Sequence, residues 1–223
     1  SLDIFFQCIP FDIFLWNIKS VILHKFFLII PIMTKYYLFF MLNAITISLY
    51  SQLLYNNGEM TLNSNALVYV DGSVQNDGNL QIKNNNNSGE LMIRRDVINN
   101  NKITNDGIIK LYGDWTNNKT YTSSKGTVEF NGDKQNLNGS KPTQFYNLVL
   151  QGNGNKTMYV DQFVNGVLNL TNIELLTKKH GIYVENDDIQ AIERISGFIS
   201  SDQNGFLSRK INFLISGDAW MIR

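Results

Sequence analysis

The chain is poor in residues that cross-link, stiffen or carry a charge excess. Cys8 is its only cysteine, so everything after it lacks a disulfide framework and a cysteine-based zinc site. Pro142 is the only proline beyond residue 52, and it falls between apolar runs, where a missing backbone donor does little harm. Basic and acidic residues balance at 19 each. From Leu53 onward there are 16 basic and 17 acidic residues, so no basic excess exists to neutralise the phosphates of a nucleic acid. No long helical period runs from Leu53 to Lys178. What the chain has in excess is asparagine: 28 of the 171 residues from Leu53 to Arg223. Asn tolerates left-handed turn geometry, and stacked Asn side chains can ladder between layers. An AT-rich coding sequence, which raises Asn, Lys, Ile, Phe and Tyr together, is the competing source of the bias.

One pattern recurs four times. Its copies are Val68-Tyr-Val70-Asp-Gly72-Ser73-Val74-Gln-Asn76, Leu91-Met-Ile93-Arg94-Arg95-Asp96-Val97-Ile-Asn99, Ile109-Lys-Leu111-Tyr-Gly113-Asp114-Trp115-Thr-Asn117 and the looser Val128-Glu-Phe130-Asn-Gly132-Asp133-Lys134-Gln-Asn136. Each holds two alternating apolar residues, a turn with Gly or Asp, usually another apolar residue, then Asn. The starts at 68, 91, 109 and 128 are spaced by 18 to 23 residues. A unit this short cannot bury its own apolar face, so stacked copies must share one core. The expected fold is all-β, a right-handed parallel β-helix with rungs of about 18–23 residues. A β-sandwich also has short strands between turns, but its strands recur at about 8–12 residues. Val68, Val70, Leu91, Ile93, Ile109, Leu111, Val128 and Phe130 are the expected inward columns. Tyr69, Met92, Lys110 and Glu129 are expected to face outward by the two-residue strand period.

Four segments follow from the composition. Residues 1–32 are apolar, but Asp3, Asp12, Lys19, His24 and Lys25 interrupt the roughly 20 apolar residues that a span requires. They read as upstream extension or a fragment edge, with a membrane anchor as the competing reading. Residues 33–52 read as a secretory signal peptide: Lys35 supplies the positive region, Tyr36 to Leu49 the apolar run, and cleavage falls before Gln52. Residues 53–178 carry the solenoid repeats. Residues 179–223 read as final rungs or the start of a following β-domain. Within them, Asp187 to Ile195 allows a short helix, since Ile189, Ile192 and Ile195 recur every three residues, or equally a strand or turn.

The run Gly113-Asp114-Trp115-Thr-Asn117, Gly126-Thr-Val128-Glu-Phe130-Asn-Gly132, Gln135-Asn-Leu-Asn-Gly139 and Phe145-Tyr-Asn-Leu148, with Gly205-Phe-Leu207-Ser-Arg209-Lys-Ile211 later, resembles the repetitive N-terminal regions of large exported Bacteroidota cell-surface proteins. The resemblance covers most of Asn57 to Arg223. It implies export, often by the type IX secretion route, and a place at the cell surface or outside it. Some relatives are gliding-motility-associated or adhesin-like. Such proteins carry a sorting domain at the C-terminus. This chain stops at Ala219-Trp-Met-Ile-Arg223 without one, which points to a fragment.

Reactive constellations are scarce. His180 is the only histidine after the signal segment, no serine is singled out beside it, and a turn histidine is the expected role. Glu185, Asp187 and Asp188 offer oxygen ligands but not the spacing of a calcium loop. Arg94, Arg95 and Asp96 form the tightest mixed cluster in the repeats and carry the competing enzyme reading, a polysaccharide lyase or hydrolase. In the other copies these turn positions need no such charge, so the expected setting is solvent. Trp115, Tyr112, Tyr121 and Tyr146 raise carbohydrate stacking. Trp115 aligns with Val74 and Val97 and is therefore expected in the core, Tyr112 outside. Sequons at Asn86, Asn118, Asn138, Asn155 and Asn169 match the number chance provides in so Asn-rich a chain. The expectation is thus a non-catalytic surface scaffold with no catalytic residues, cofactor or metal. It would contact surface glycans or other surface proteins, not nucleic acid, and meet a membrane only through the signal segment.

Overall fold

The computed structural model describes residues 52–85 and 87–212. The stretch 1–32, the expected signal segment up to residue 51 and the chain end from residue 213 lie outside the described residues. Within them every regular element is a β-strand of two to five residues. Asp187 to Ile195 contains turns and the two-residue strand Ile192–Glu193, with Ile189 and Ile195 exposed.

The strands wind into a parallel β-solenoid of about seven turns. Each coil lays one strand on each of three walls in a fixed order, as Gln52–Asn56, Glu59–Leu62 and Leu67–Val70 do in the first. The long wall pairs eight strands, from Gln52–Asn56 to Phe198–Ser200, and a second wall pairs seven, from Leu67–Val70 to Ile192–Glu193. The third wall is split into two four-stranded sheets, one ending at Thr120–Thr122 and the other beginning at Thr143–Phe145. All strand pairs are parallel, which requires a crossover of a full coil between partners.

Hydrophobic alternation sets the register. On the seven-stranded wall the column runs Val68, Leu91, Ile109, Val128, Leu148, Leu168 and Ile192, one residue per coil. Its neighbour runs Val70, Ile93, Leu111, Phe130 and Leu150, all buried. The first three repeat spacings are therefore the first three coil lengths. Val68 is only partly buried because its strand is the edge of that wall and pairs on one side. Tyr69, Met92, Lys110 and Glu129 form the outward column, with a Lys110–Glu90 ion pair at 2.9 Å between coils. A fully buried Leu or Ile contributes about 1.5–3 kcal/mol, so a column sealed over many coils dominates the stability.

Polar ladders lock the corners. Asn56, Asn76, Asn99 and Asn117 are buried at one position of successive coils. Each side-chain Nδ2 donates to the next Oδ1, at 2.7, 2.9 and 2.8 Å. The second Nδ2 proton reaches a backbone carbonyl of the following coil: Asn79, Lys102, Thr120 and Pro142 in turn. One step outside, a second ladder runs the other way, Asn118 donating to Asn100 at 2.9 Å and Asn100 to Asp77 at 2.8 Å. The adjacent ladders so carry opposed amide dipoles. The inner one stops where Gly139 comes so close to the Asn117 carbonyl that a Cβ would overlap it.

The fourth repeat departs from its expected alignment. The repeat alignment sets Lys134 opposite Trp115 and Asn136 opposite Asn117, but the partners of Trp115 and Thr116 are Leu137 and Asn138. The corner after Phe130 is three residues longer than the one between Leu111 and Trp115, which displaces the rest of the copy. Longer corners bring carbonyls inward, and these need inward donors. Gln135 supplies one, donating through Nε2 to the carbonyls of Leu111 at 3.2 Å and Gly113 at 2.5 Å, while its Oε1 accepts from Gly132 N at 2.8 Å. In the next coil Lys156 pairs with Gln135 in register and serves the same purpose.

Leu111→Asp is expected to unfold the central coils, since it places a carboxylate inside a sealed column. Asn99→Ala strands a donor on Asn76 and an acceptor on Asn117, and should cost about 2–6 kcal/mol at about 1–3 kcal/mol per unpaired buried group. Asn100→Ala, on the outer ladder, should cost under about 1 kcal/mol. Urea midpoints check the order; an unchanged midpoint for Leu111→Asp, or equal losses for the two Asn variants, contradicts this register.

Candidate functional site

The charged cluster singled out in the repeats, Arg94, Arg95 and Asp96, lies on the outside of the coils, at a corner built by the repeat. Arg94 and Arg95 are exposed at the turn after Ile93. Arg94 Cζ stands 5.2 Å from the ring centroid of Tyr112, which occupies the same turn one coil later and points outward as expected. Such an exposed cation–π contact is worth roughly 0.5–1 kcal/mol, enough to orient a guanidinium without sequestering it. Asp96 does not join Arg95 in an acid–base pair. Its Oδ1 accepts from Asp114 N at 2.7 Å, capping the next coil. Asp114 repeats the arrangement, taking Asn136 N at 2.7 Å and Asn136 Nδ2 at 2.8 Å. Gly113 is required between them because a side chain there would collide with Asp96 and the Arg95 backbone. These carboxylates are committed to backbone capping between coils.

The aromatic residues divide as their alignment implies. Trp115 is fully buried and Tyr121 nearly so. These two rings and that of Phe145 pack mutually at centroid distances of 5.4 to 5.8 Å, and Trp115 Nε1 donates to Thr143 Oγ1 at 3.0 Å. Burial pushes the Tyr121 hydroxyl up, with the hydrogen bond to Asn105 acting in the opposite direction. Tyr146 is partly buried. None of the four forms part of an exposed stacking row.

A partly exposed stacking row does exist, and sequence reasoning missed it. Phe163 and Tyr183 occupy one outward position on successive strands of the split wall. Their rings stack at 4.7 Å and 11°, and Phe206 meets Tyr183 edge-on at 5.5 Å. Gly181 leaves the space that Tyr183 and Phe206 cover. At the adjoining corner Lys178 Nζ lies 4.1 Å above the Tyr159 ring, and His180 Nδ1 lies 3.4 Å from Asp161 Oδ1. The same Oδ1 accepts from Gly181 N at 2.9 Å, so Asp161 ties the histidine turn to the neighbouring coil. The signal in the sequence is the spacing of the two rings, 20 residues and so one coil length, in coils beyond the four-copy motif.

Glu185, Asp187 and Asp188 do not converge. Asp188 Oδ1 caps Gln190 N at 2.8 Å, its carbonyl accepts from Arg209 Nη2 at 2.5 Å, and Asp187 accepts from Asn212 Nδ2. Among the described residues no group of three or more His, Cys, Asp or Glu is placed to hold a metal ion. A cavity of about 440 Å³ lies at the last described coil, lined by Leu170, Thr177, Ile192, Phe198, Ser201 and Phe206 among others. Its lining takes in Ile192 and the Gly205-Phe-Leu207 stretch but none of Arg94, Arg95, Asp96 and His180.

The most perturbed ionisable group in the neutral-to-alkaline range is internal. Lys156 is fully buried, and its Nζ donates to the carbonyls of Gly132 at 2.8 Å, Asp133 at 2.7 Å and Asn153 at 3.4 Å. Burial pushes its pKa down to about 8, partly offset by the Asp133 charge. The amine acts as a clamp on two long corners. In the unfolded chain the same group titrates near its ordinary 10.5. Between about pH 8 and 10.5 the unfolded state therefore binds more protons than the folded state, and this group makes stability rise with pH, by at most about 1.4 kcal/mol per unit. Urea midpoints at pH 7.5 and 9.5 should show that rise for the unaltered chain and lose it in Lys156→Met; parallel profiles would contradict the assignment.

No protein-family model matches the chain, no curated protein matches it, and no solved structure matches it.

Proposed function

We propose that this chain is part of an exported scaffold at the cell surface or in the extracellular space, adhesin-like and non-catalytic. Its work is to hold a stiff lateral surface for contact with surface glycans or other surface proteins. The observation that carries this reading is the unbroken apolar column crossing seven coils, flanked by polar ladders that join each coil to the next. A stack with both features resists bending and twisting, and it presents its side chains in fixed rows one strand spacing apart. The carboxylates of Asp96 and Asp114 are spent on capping, which favours a structural role for that turn over acid–base chemistry.

Export rests on the signal-like segment at residues 33–52, and the type IX route and a part in gliding motility rest on the resemblance to exported Bacteroidota proteins. The coil is taken as right-handed, the hand that right-twisted parallel strands impose on their crossovers. The alternative function is a polysaccharide lyase or hydrolase acting on a lateral groove, with Arg95 as the group that would meet an acidic sugar.

The two readings part in one assay. Incubated with a panel of neutral and acidic polysaccharides, the chain is expected to attach to a subset and leave every chain length unchanged, with Arg95→Ala indistinguishable from the unaltered protein. Depolymerisation of an acidic polysaccharide, abolished by Arg95→Ala, would establish the enzyme instead.

A further inference from the structure

The three walls are not equally continuous, and the discontinuity falls at one place. The long wall and the seven-stranded wall run through the whole stack, whereas the third wall stops at Thr120–Thr122 and resumes at Thr143–Phe145 without a ladder between them. Four independent features meet there. Pro142, immediately before the second of these strands, has no N–H to offer the preceding coil. Thr143 N turns the other way, to Gln162 Oε1 in the following coil, at 3.3 Å. The inner asparagine ladder ends at Asn117, because Gly139 stands where the next amide would be, and Asn117 Nδ2 keeps only its bond to the Pro142 carbonyl. Asn105 Oδ1, beside Tyr121 in the same wall, is buried without a partner.

What spans the gap is side-chain packing. Trp115, Tyr121 and Phe145 fill the space behind it, and the Trp115–Thr143 hydrogen bond crosses it. Backbone bonds close it only at its two ends, from Lys141 N to Asn117 O at 3.1 Å and from Asn147 N to Gly126 O at 3.1 Å. Between those ends the strands meet as two unpaired edges.

We infer that this gap is a built-in opening seam. The split wall parts at the gap while the other two walls stay paired, so the stack divides into two cooperative blocks. One comprises the coils up to Thr127–Phe130 and the other the coils from Gln135–Asn138 onward. Opening exposes the aromatic cluster without unwinding either end. Regions that open below the global unfolding free energy are those with few backbone bonds to neighbours, and the seam strands are the ones inside the stack, away from its two ends, that lack a ladder on one side.

Residue-resolved amide hydrogen exchange on the full chain tests this. Amides in Thr120–Thr122 and Thr143–Phe145 should average about tenfold or more less protection than those in Lys102–Asn105 and Gln162–Val164, the neighbouring strands of the same wall. Thr143→Val, which keeps the shape and removes the acceptor of Trp115, should lower protection further in the two seam strands alone. Equal protection in all four strands overturns the inference. So does a Thr143→Val loss that spreads evenly through both blocks and the long wall.

Discussion

Registered pairing between one coil and the next is the constraint on which everything else depends. A coil of about twenty residues has three short strands and no second layer of its own, so its apolar side chains are buried only by the coils above and below. The backbone ladder fixes that stacking to one strand spacing, and the same residue position then recurs at the same place in every coil. Columns of Leu, Ile and Val follow inside, and columns of polar side chains follow at the corners. The Asn56–Asn117 ladder shows how strict this is: its hydrogen bonds form only because four amides are held at equal steps along one line. A slip of one residue would turn each strand's inward set outward.

The first three repeats were legible because their corners are of equal length. Val70 to Val74, Ile93 to Val97 and Leu111 to Trp115 each take four positions, so a linear reading of the sequence coincided with the spatial register. It failed at Phe130, where the corner lengthens and apolar alternation gives no account of how the extra residues are absorbed. Gln135 and Lys156 are the physical answer, and neither looks inward in the sequence because both are polar. Lys156 becomes visible only when Met158 is set under Leu137, which forces the lysine beneath Gln135. The broken wall was hidden for a related reason: Pro142 marks it, yet a proline between strands is normally harmless and here removes a donor where a ladder would have formed.

The candidate site was legible in its exclusions and less so in its surface. Trp115 was placed inside and Tyr112 outside by alignment with Val74, Val97, Asp71 and Arg94, and the structure agrees. The Phe163–Tyr183–Phe206 row and the Asp161–His180 corner lie in coils that no longer carry the motif shared by the four copies between Val68 and Asn136. These outward rows, repeated at coil spacing, are the features a binding partner would meet, and they are compatible with the scaffold role proposed above.

The central claim is that coils add along one axis at a constant step. Spin labels on the outward column Tyr69, Met92, Lys110, Glu129 and Val149, in a chain with Cys8 replaced by serine, measure that step directly. Distances from position 69 should grow with each coil by roughly 4.8 Å, reaching about 19 Å at position 149. Distances that fail to rise in sequence order, as they would if these strands belonged to two facing sheets, would contradict the solenoid.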